Sequence, residues 1–189
     1  MTSTTLLYFV RHAESLYVPG DERSRGLTER GQADALRVRR TLHDICFDAA
    51  VSSPYERAMQ TIRPTAGDRP IRIYEDLRER TIGEFGDTTS FAEAKCAVYQ
   101  DFDFSFPGGE SSRSAQQRAA SVILTLLRAH EGETVLIGTH GDIMTLIFNR
   151  FDAAVGYEFW RSLAMPDIYK LEFYGEQLAR MNRIDLAPA

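Results

Sequence analysis

Two histidines and two arginines stand at or just beyond the ends of apolar runs in this chain, with a lone glutamate among them. Arg11-His12 closes the run at 6–10. His140 follows the run at 134–138, within Thr139-His140-Gly141-Asp142. Arg57 lies in Ser52-Ser53-Pro54-Tyr55-Glu56-Arg57, and Glu79 in Leu77-Arg78-Glu79-Arg80. Imidazole can act as a nucleophile, guanidinium is a planar fork suited to phosphate oxygens, and a carboxyl can protonate a leaving alkoxide. Together such groups could take a phosphoryl group onto histidine, hold it and release the alcohol. Each position also has a plainer reading. Arg11-His12 is equally a solvated strand end, Arg57 a partner for Glu56, Glu79 a surface carboxylate, and His140 a satisfied, partly buried side chain. Arg57 carries one further signal. A cation in the first turn of a helix opposes the helix dipole, at a cost of roughly 0.3–1 kcal/mol. A residue set against local preference invites a functional explanation. Metal binding by His12 and His140 is a rival reading. Two neighbouring arginines would repel a cation, and Cys46 and Cys96 supply no missing ligands.

These positions can cooperate only if the fold brings them together. Residues 5–11 read as a strand. Residues 28–45 read as a helix capped by Thr28, with Ala35, Val38, Leu42 and Ile45 on one face. A strand at 48–52 runs into Ser53-Pro54, a cap and first-turn pair for a helix expected to end before Pro64. Residues 71–74 form a short strand, followed by a loop-rich stretch at 76–110 with a helix between 88 and 100. Ser111 or Ser112 caps a helix with Ala115, Ala119, Val122 and Leu126 on its face. A buried strand at 134–138, helices at 142–150 and near 153–162, and two closing strands at 168–173 and 178–184 complete the chain. The β-α-β-α order predicts an α/β protein: a three-layer α/β/α sandwich around a mostly parallel sheet, with an antiparallel strand near the C-terminus. One domain over residues 1–189 is expected. In such a sheet, the carboxyl ends of parallel strands converge on one edge, where ligands bind. His12, the loop before Arg57, and His140 then share that edge.

The bulk composition narrows the partners. A net charge of −5 argues against general affinity for nucleic acid or anionic membrane, so any anion site must be local. No run approaches the roughly 20 apolar residues of a membrane span, and the first apolar run is too short, and lacks the basic flank, for a signal peptide. Two cysteines without ligand spacing read as reduced thiols in a cytoplasmic protein.

The motifs resemble those of the histidine phosphatase superfamily, the phosphoglycerate-mutase-like proteins. The matching text is Phe9-Val10-Arg11-His12-Ala13-Glu14-Ser15; Gly26-Leu27-Thr28-Glu29-Arg30-Gly31; Ser52-Ser53-Pro54 through Arg57-Ala58-Met59-Gln60-Thr61; Leu77-Arg78-Glu79 with Gly83; Pro107-Gly108-Gly109-Glu110-Ser111; and Thr139-His140-Gly141. They occur in the family's order. The resemblance implies that His12 is the phosphorylated nucleophile and that Arg11, Arg57 and His140 hold the phosphoryl oxygens. It makes Glu79 the proton donor and later the base, with no metal or cofactor required. Three positions depart from the pattern. Ala13 stands where many relatives have Gly, Val18 where many have a phosphate-reaching Asn, and Thr145 where many have Arg.

The superfamily contains mutases as well as phosphatases. A bisphosphate intermediate needs extra cations, yet the stretch from Gly86 to Glu110 has only Lys95 against Asp87, Glu93, Asp101 and Asp103. The expectation is therefore hydrolysis of phosphate monoesters, with a cofactor-dependent mutase as the alternative. A third reading is a non-catalytic phosphate- or phosphoprotein-binding module, which would have no need of Glu79. Asp142, next but one to His140, is a rival donor. Phe91, Tyr99, Phe102, Phe104 and Phe106 read as core under a loop or as an apolar lid. Arg23 and Arg25 read as solvated cations or as contacts for a second anion. Small phosphorylated substrates are expected, and phosphoproteins are a further possibility.

Overall fold

The apolar run behind Arg11-His12 becomes a central strand because helices cover both of its faces. The computed structural model describes residues 3–188. Strand β1 (Thr4–Arg11) pairs in parallel with β4 (Thr134–Thr139). Beyond β4 lie β2 (Ala49–Ser52) and β3 (Ile71–Ile73), also parallel. On the other side of β1, strands β5 (Asp167–Tyr174) and β6 (Gln177–Ile184) continue the sheet with antiparallel pairing, giving the order β3-β2-β4-β1-β5-β6. The expected three-layer α/β/α architecture is thus found, with two antiparallel strands at its C-terminal edge.

The alternation along β1 sorts the core. Tyr8 and Val10 face α1 (Glu29–Thr41) and α2 (Glu56–Ala66), packing with Val38, Leu42 and Ile62. Leu7 and Phe9 face α4 (Ser112–Ala129) and α5 (Gly141–Phe151), packing with Ile123, Leu126 and Phe148. Burial on both faces explains why β1 and β4 read as nearly continuous apolar runs. Helices α3 (Phe91–Gln100) and α6 (Tyr157–Ser162) lie beside the carboxyl edge. Among the described residues, no helix is long and apolar enough to cross a membrane.

Two local expectations are corrected. Helix α2 does not end before Pro64 but runs to Ala66, with Pro64 inside it. Only Thr65 and Ala66 follow the proline, and burial of Ile62 and Ala66, with the Gly67 N–H donating to Arg63 O at 3.0 Å, holds that end in place. The helix also starts later than Ser53-Pro54 implies, with Tyr55 at its cap and Glu56 as its first residue. Ser53 remains tied to the sheet through its N–H, which donates to Gly138 O at 3.0 Å, so its hydroxyl serves elsewhere. Thr28 caps α1 as expected, accepting from the Gly31 N–H, and α3 opens with a capping box of Ser90 and Glu93.

The loop carrying Glu79 is stapled to the Pro107-Gly108-Gly109 turn. The Glu84 N–H donates to Pro107 O at 2.9 Å and the Glu110 N–H to Thr81 O at 2.8 Å. Gly83 lies at φ +90°, and a Cβ there would stand 2.6 Å from Pro107 O. A Cβ on Gly109 would stand 2.3 Å from Ile82 O. Two backbones crossing this closely require glycine, which accounts physically for two distant glycine motifs meeting at one place.

Candidate active site

His12 leaves β1 held on both sides of its backbone. Its own N–H donates to Thr139 O at 2.9 Å, and the next N–H, of Ala13, donates to Thr61 Oγ1 at 2.9 Å. The ring is fixed as well. Nδ1 stands 2.7 Å from Ala13 O, a geometry that assigns the ring proton to Nδ1 and leaves the lone pair on Nε2. Arg57, 2% exposed in the first turn of α2, donates to that Nε2 from its Nε at 3.2 Å. Glu56, the alternative partner for Arg57, accepts from Gln60 instead. The cation thus sits against its helix dipole because it faces the imidazole.

Arg11 reaches the same edge. Its Nη1 donates to Leu163 O at 3.0 Å and Ala164 O at 2.9 Å, which fixes the guanidinium against the segment before β5. Its Nε is buried and unpartnered among the described residues. A Cβ on Gly141 would stand 2.9 Å from this Nε and 3.0 Å from Cζ, so the bare backbone at the start of α5 makes room for Arg11.

His140, fully buried at the cap of α5, shares a hydrogen bond with Ser53 Oγ at 2.7 Å. Its ring centroid lies 5.2 Å from that of His12. Burial first, and then the Arg57 charge, push His12 down to about 3 from the ordinary 6.5. Burial, with the neighbouring His12 and Arg57 next, also holds His140 well below its usual range. Arginine charge favours the neutral form of His12. Desolvation proves the larger cause, and it also makes His140 a neutral hydrogen-bonding group rather than a standing cation.

Glu79, half-buried in the stapled loop, lies at the start of α5. Its carboxylate accepts from the N–H groups of Asp142 at 3.1 Å, Ile143 at 2.9 Å and Arg80 at 3.0 Å. A helix N-terminus is a favourable place for a carboxylate, and this one holds Glu79 at the wall of the cleft that His12 and Arg57 also line. The structure therefore brings Arg11, His12, Arg57, Glu79 and His140 to one edge of the sheet. A nucleophilic nitrogen, guanidinium groups and a carboxyl around one cleft can perform phosphoryl transfer, which is mainly positioning and charge stabilisation.

A family model described as histidine phosphatase superfamily (branch 1) matches residues 7–184. The chain belongs to that superfamily. Catalysis through phosphohistidine is the general mechanism of the superfamily. The adenosylcobalamin/alpha-ribazole phosphatase of Escherichia coli strain K12 is 26% identical over 169 residues, 82% of each protein. Among solved structures, the mycobacterial glucosyl-3-phosphoglycerate phosphatase superposes with a TM-score of 0.75 at 19% identity, covering 97% of this chain and 98% of that one. The Bacillus stearothermophilus protein YhfR superposes at 0.72 with 26% identity, covering 96% of each chain.

At this cleft of the histidine phosphatase chain, the two candidate carboxyls differ sharply. Asp142 is 1% exposed, and both its oxygens are engaged. Arg80 Nε donates to Oδ2 at 2.7 Å, Lys95 donates to the same oxygen, and Tyr99 OH donates to Oδ1 at 2.6 Å. Burial would raise its pKa, but Lys95 and Arg80 outweigh that and hold the carboxyl below its usual range. Arg80 also donates to Ser112 at 2.6 Å, so the network ties together the Glu79 loop, α3, α4 and α5.

The cleft has a volume of about 780 Å³, far more than a phosphoryl group fills. The aromatic run divides between the two readings it allowed. Tyr99 is buried, and Phe102 and Phe106 pack on the main core. Phe91, 52% exposed, lines the cleft beside Trp160, their rings 6.1 Å apart. Arg23 is exposed and pairs with Glu75, whereas Arg25 lines the cleft. Sequence reasoning did not assign Arg25, Ser53 or the Asp142 network to the site. Only spacing after a strand end signalled them, and that spacing does not say which way a loop side chain turns.

The two neutral histidines have a measurable consequence. An unfolded chain takes up protons on histidine near the ordinary 6.5, while folded His12 refuses one until about pH 3. Between those values the unfolded state binds more protons, so this contribution to stability is full above about pH 6.5 and is lost as pH falls toward 3. The melting temperature is expected to fall between pH 7 and 5, before most carboxylates titrate. His12→Ala should flatten that slope. Calorimetry giving a level melting temperature in the wild type over this range would contradict the assignment.

Proposed function

We propose that this phosphatase of the histidine phosphatase superfamily hydrolyses small phosphate monoesters through Nε2 of His12, without metal or organic cofactor. The observation that carries the reading is the tautomer of His12. Ala13 O holds the proton on Nδ1, and the lone pair of Nε2 faces Arg57. In the first step Nε2 attacks phosphorus and the bond from phosphorus to the leaving oxygen breaks. Arg11 and Arg57 take up charge on the phosphoryl oxygens, His140 donates a hydrogen bond to them, and Glu79 gives its proton to the leaving alkoxide. In the second step Glu79 takes a proton from water, the oxygen attacks phosphorus, and the N–P bond returns its pair to His12. The ion-paired Asp142 is poorly suited to either step.

Hydrolysis is favoured over mutase chemistry because Lys95 and Arg80, two cations lining the cleft, are already committed to Asp142. Two phosphatase names among the relatives, alpha-ribazole and glucosyl-3-phosphoglycerate phosphatase, support a small substrate, leaving a phosphoprotein as the secondary reading. Net charge argues against nucleic acid, and the free thiols of Cys46 and Cys96 support a cytoplasmic setting. A continuous six-stranded sheet supports one domain over residues 1–189.

The test is turnover of p-nitrophenyl phosphate in excess EDTA, combined with acid-sensitive, alkali-stable trapping of labelled phosphate on the protein. Turnover with a trapped intermediate is expected. Phosphate binding without turnover on a panel of monoesters would instead support the binding-module alternative.

A further inference from the structure

The loop between β1 and α1 brings one carboxylate oxygen against two guanidinium groups. Glu22 Oε2 accepts from Arg25 Nε at 3.1 Å and from Arg25 Nη2 at 2.9 Å, and lies 3.4 Å from Arg57 Nη2. Arg57 is also the side chain that touches the nucleophilic nitrogen of His12. An anionic oxygen shared by two guanidinium forks beside that nitrogen has the environment that a phosphoryl oxygen requires. Glu22 therefore provides, within the chain, an anion of the kind the cleft would otherwise bind.

The two partners of this carboxylate are held independently of it. Arg25 Nη1 donates to Ser15 Oγ at 2.7 Å and to Leu16 O at 3.1 Å, so the guanidinium keeps anchors when Glu22 leaves. The Arg25 side chain is 14% exposed, against 53% for Glu22. The ends of the loop are fixed as well. Leu16 N–H donates to Gly26 O at 3.0 Å, and Glu56 N–H to Arg23 O at 2.9 Å. The member of the triad with open solvent to turn into is thus the half-exposed glutamate. Val18, where a phosphate contact was expected to be missing, is 41% exposed, while Arg25 lines the cleft.

We propose that Arg25 is a third guanidinium of the phosphate cradle, kept paired by Glu22, whose carboxylate the phosphoryl group of the substrate displaces. The inference rests on phosphate binding beside His12, but not on turnover. Arg25 then supplies positive charge from a loop rather than from a strand end. Glu22 competes with every incoming phosphate, and with the product phosphate as well, so it weakens retention of product.

Calorimetric titration with inorganic phosphate separates this from a merely supporting role for Glu22. Glu22→Gln keeps the shape and removes the charge. It is expected to tighten phosphate binding by roughly two- to fivefold, the range of a partly exposed ion pair. Arg25→Ala is expected to weaken binding by roughly tenfold or more, as for loss of a charge-assisted hydrogen bond. Arg25→Lys should recover part of the loss and guards against a folding defect in the alanine variant. Weaker or unchanged phosphate binding in Glu22→Gln overturns the proposal, as does unchanged binding in both Arg25 variants. A protein that shows the expected binding pattern yet hydrolyses no ester keeps this inference and loses the catalytic one.

Discussion

His12→Ala is expected to lower kcat on p-nitrophenyl phosphate by at least about 10⁴-fold, the loss that removal of the proposed nucleophile predicts. That corresponds to roughly 5.5 kcal/mol of lost transition-state stabilisation, more than a small repacking around residue 12 could account for. The variant keeps Arg11, Arg57 and His140, so its affinity for inorganic phosphate should fall far less than its turnover. The variant also loses the acceptor for Arg57 Nε, which frees that donor for a bound anion. Labelled phosphate should no longer be trapped on the protein. Turnover within about 100-fold of wild type, in a variant that melts as a folded protein, would remove His12 from the reaction, since deleting an essential nucleophile costs far more than that.

The readable part of this molecule was the part in which one residue type does one thing. Strand ends at Arg11-His12, Ser52-Ser53 and Thr139-His140 were legible because β1, β2 and β4 are buried runs that stop abruptly at polar residues. Parallel pairing then places those ends together. Arg57 was legible as a residue at odds with its helix, and the structure supplies the compensating imidazole. The boundaries of α2 were not, because local preference was overridden twice. Burial of Ile62 and Ala66 carries the helix past Pro64, and the sheet retains Ser53. The direction of loop side chains was also hidden. Arg23 and Arg25 are two residues apart in sequence, yet one pairs with Glu75 at the surface and the other lines the cleft. Lys95 read as a lone cation among carboxylates, too little charge for a second phosphate. Its neutralisation by Asp142, 47 positions away, is a tertiary fact without a local signature.

The second large effect separates the two carboxyls by the kind of damage each substitution does. Asp142→Asn removes the negative charge shared by Arg80, Lys95 and Tyr99 and leaves two buried cations uncompensated. Breaking a buried pair in this way costs about 3–5 kcal/mol, which for a chain of this size lowers the melting temperature on the order of 10 °C. The folded fraction should still hydrolyse aryl and alkyl phosphates in nearly the wild-type ratio, because Glu79, the proposed donor, is intact. Glu79→Gln acts in the opposite way. Its side chain is half-buried and makes no buried ion pair among the described residues, but the amide replaces one of the two oxygens that accept N–H groups, so the melting temperature should fall, by less than in Asp142→Asn. An amide cannot deliver a proton to a leaving alkoxide, and a positioned acid typically contributes about 10²–10⁴-fold. That loss should appear in full with alkyl phosphates and be slight with p-nitrophenyl phosphate, whose leaving group departs without protonation. Rates across alcohols of rising pKa therefore give a steeper dependence for Glu79→Gln than for wild type, and an unchanged slope for Asp142→Asn. The reverse pattern would transfer the acid to Asp142, and a buried carboxylate held by two cations would then have to surrender them to be protonated. A donor at Glu79 asks for no such rearrangement, since its partners are the N–H groups of a helix start, and these remain in place whether the carboxyl is charged or protonated.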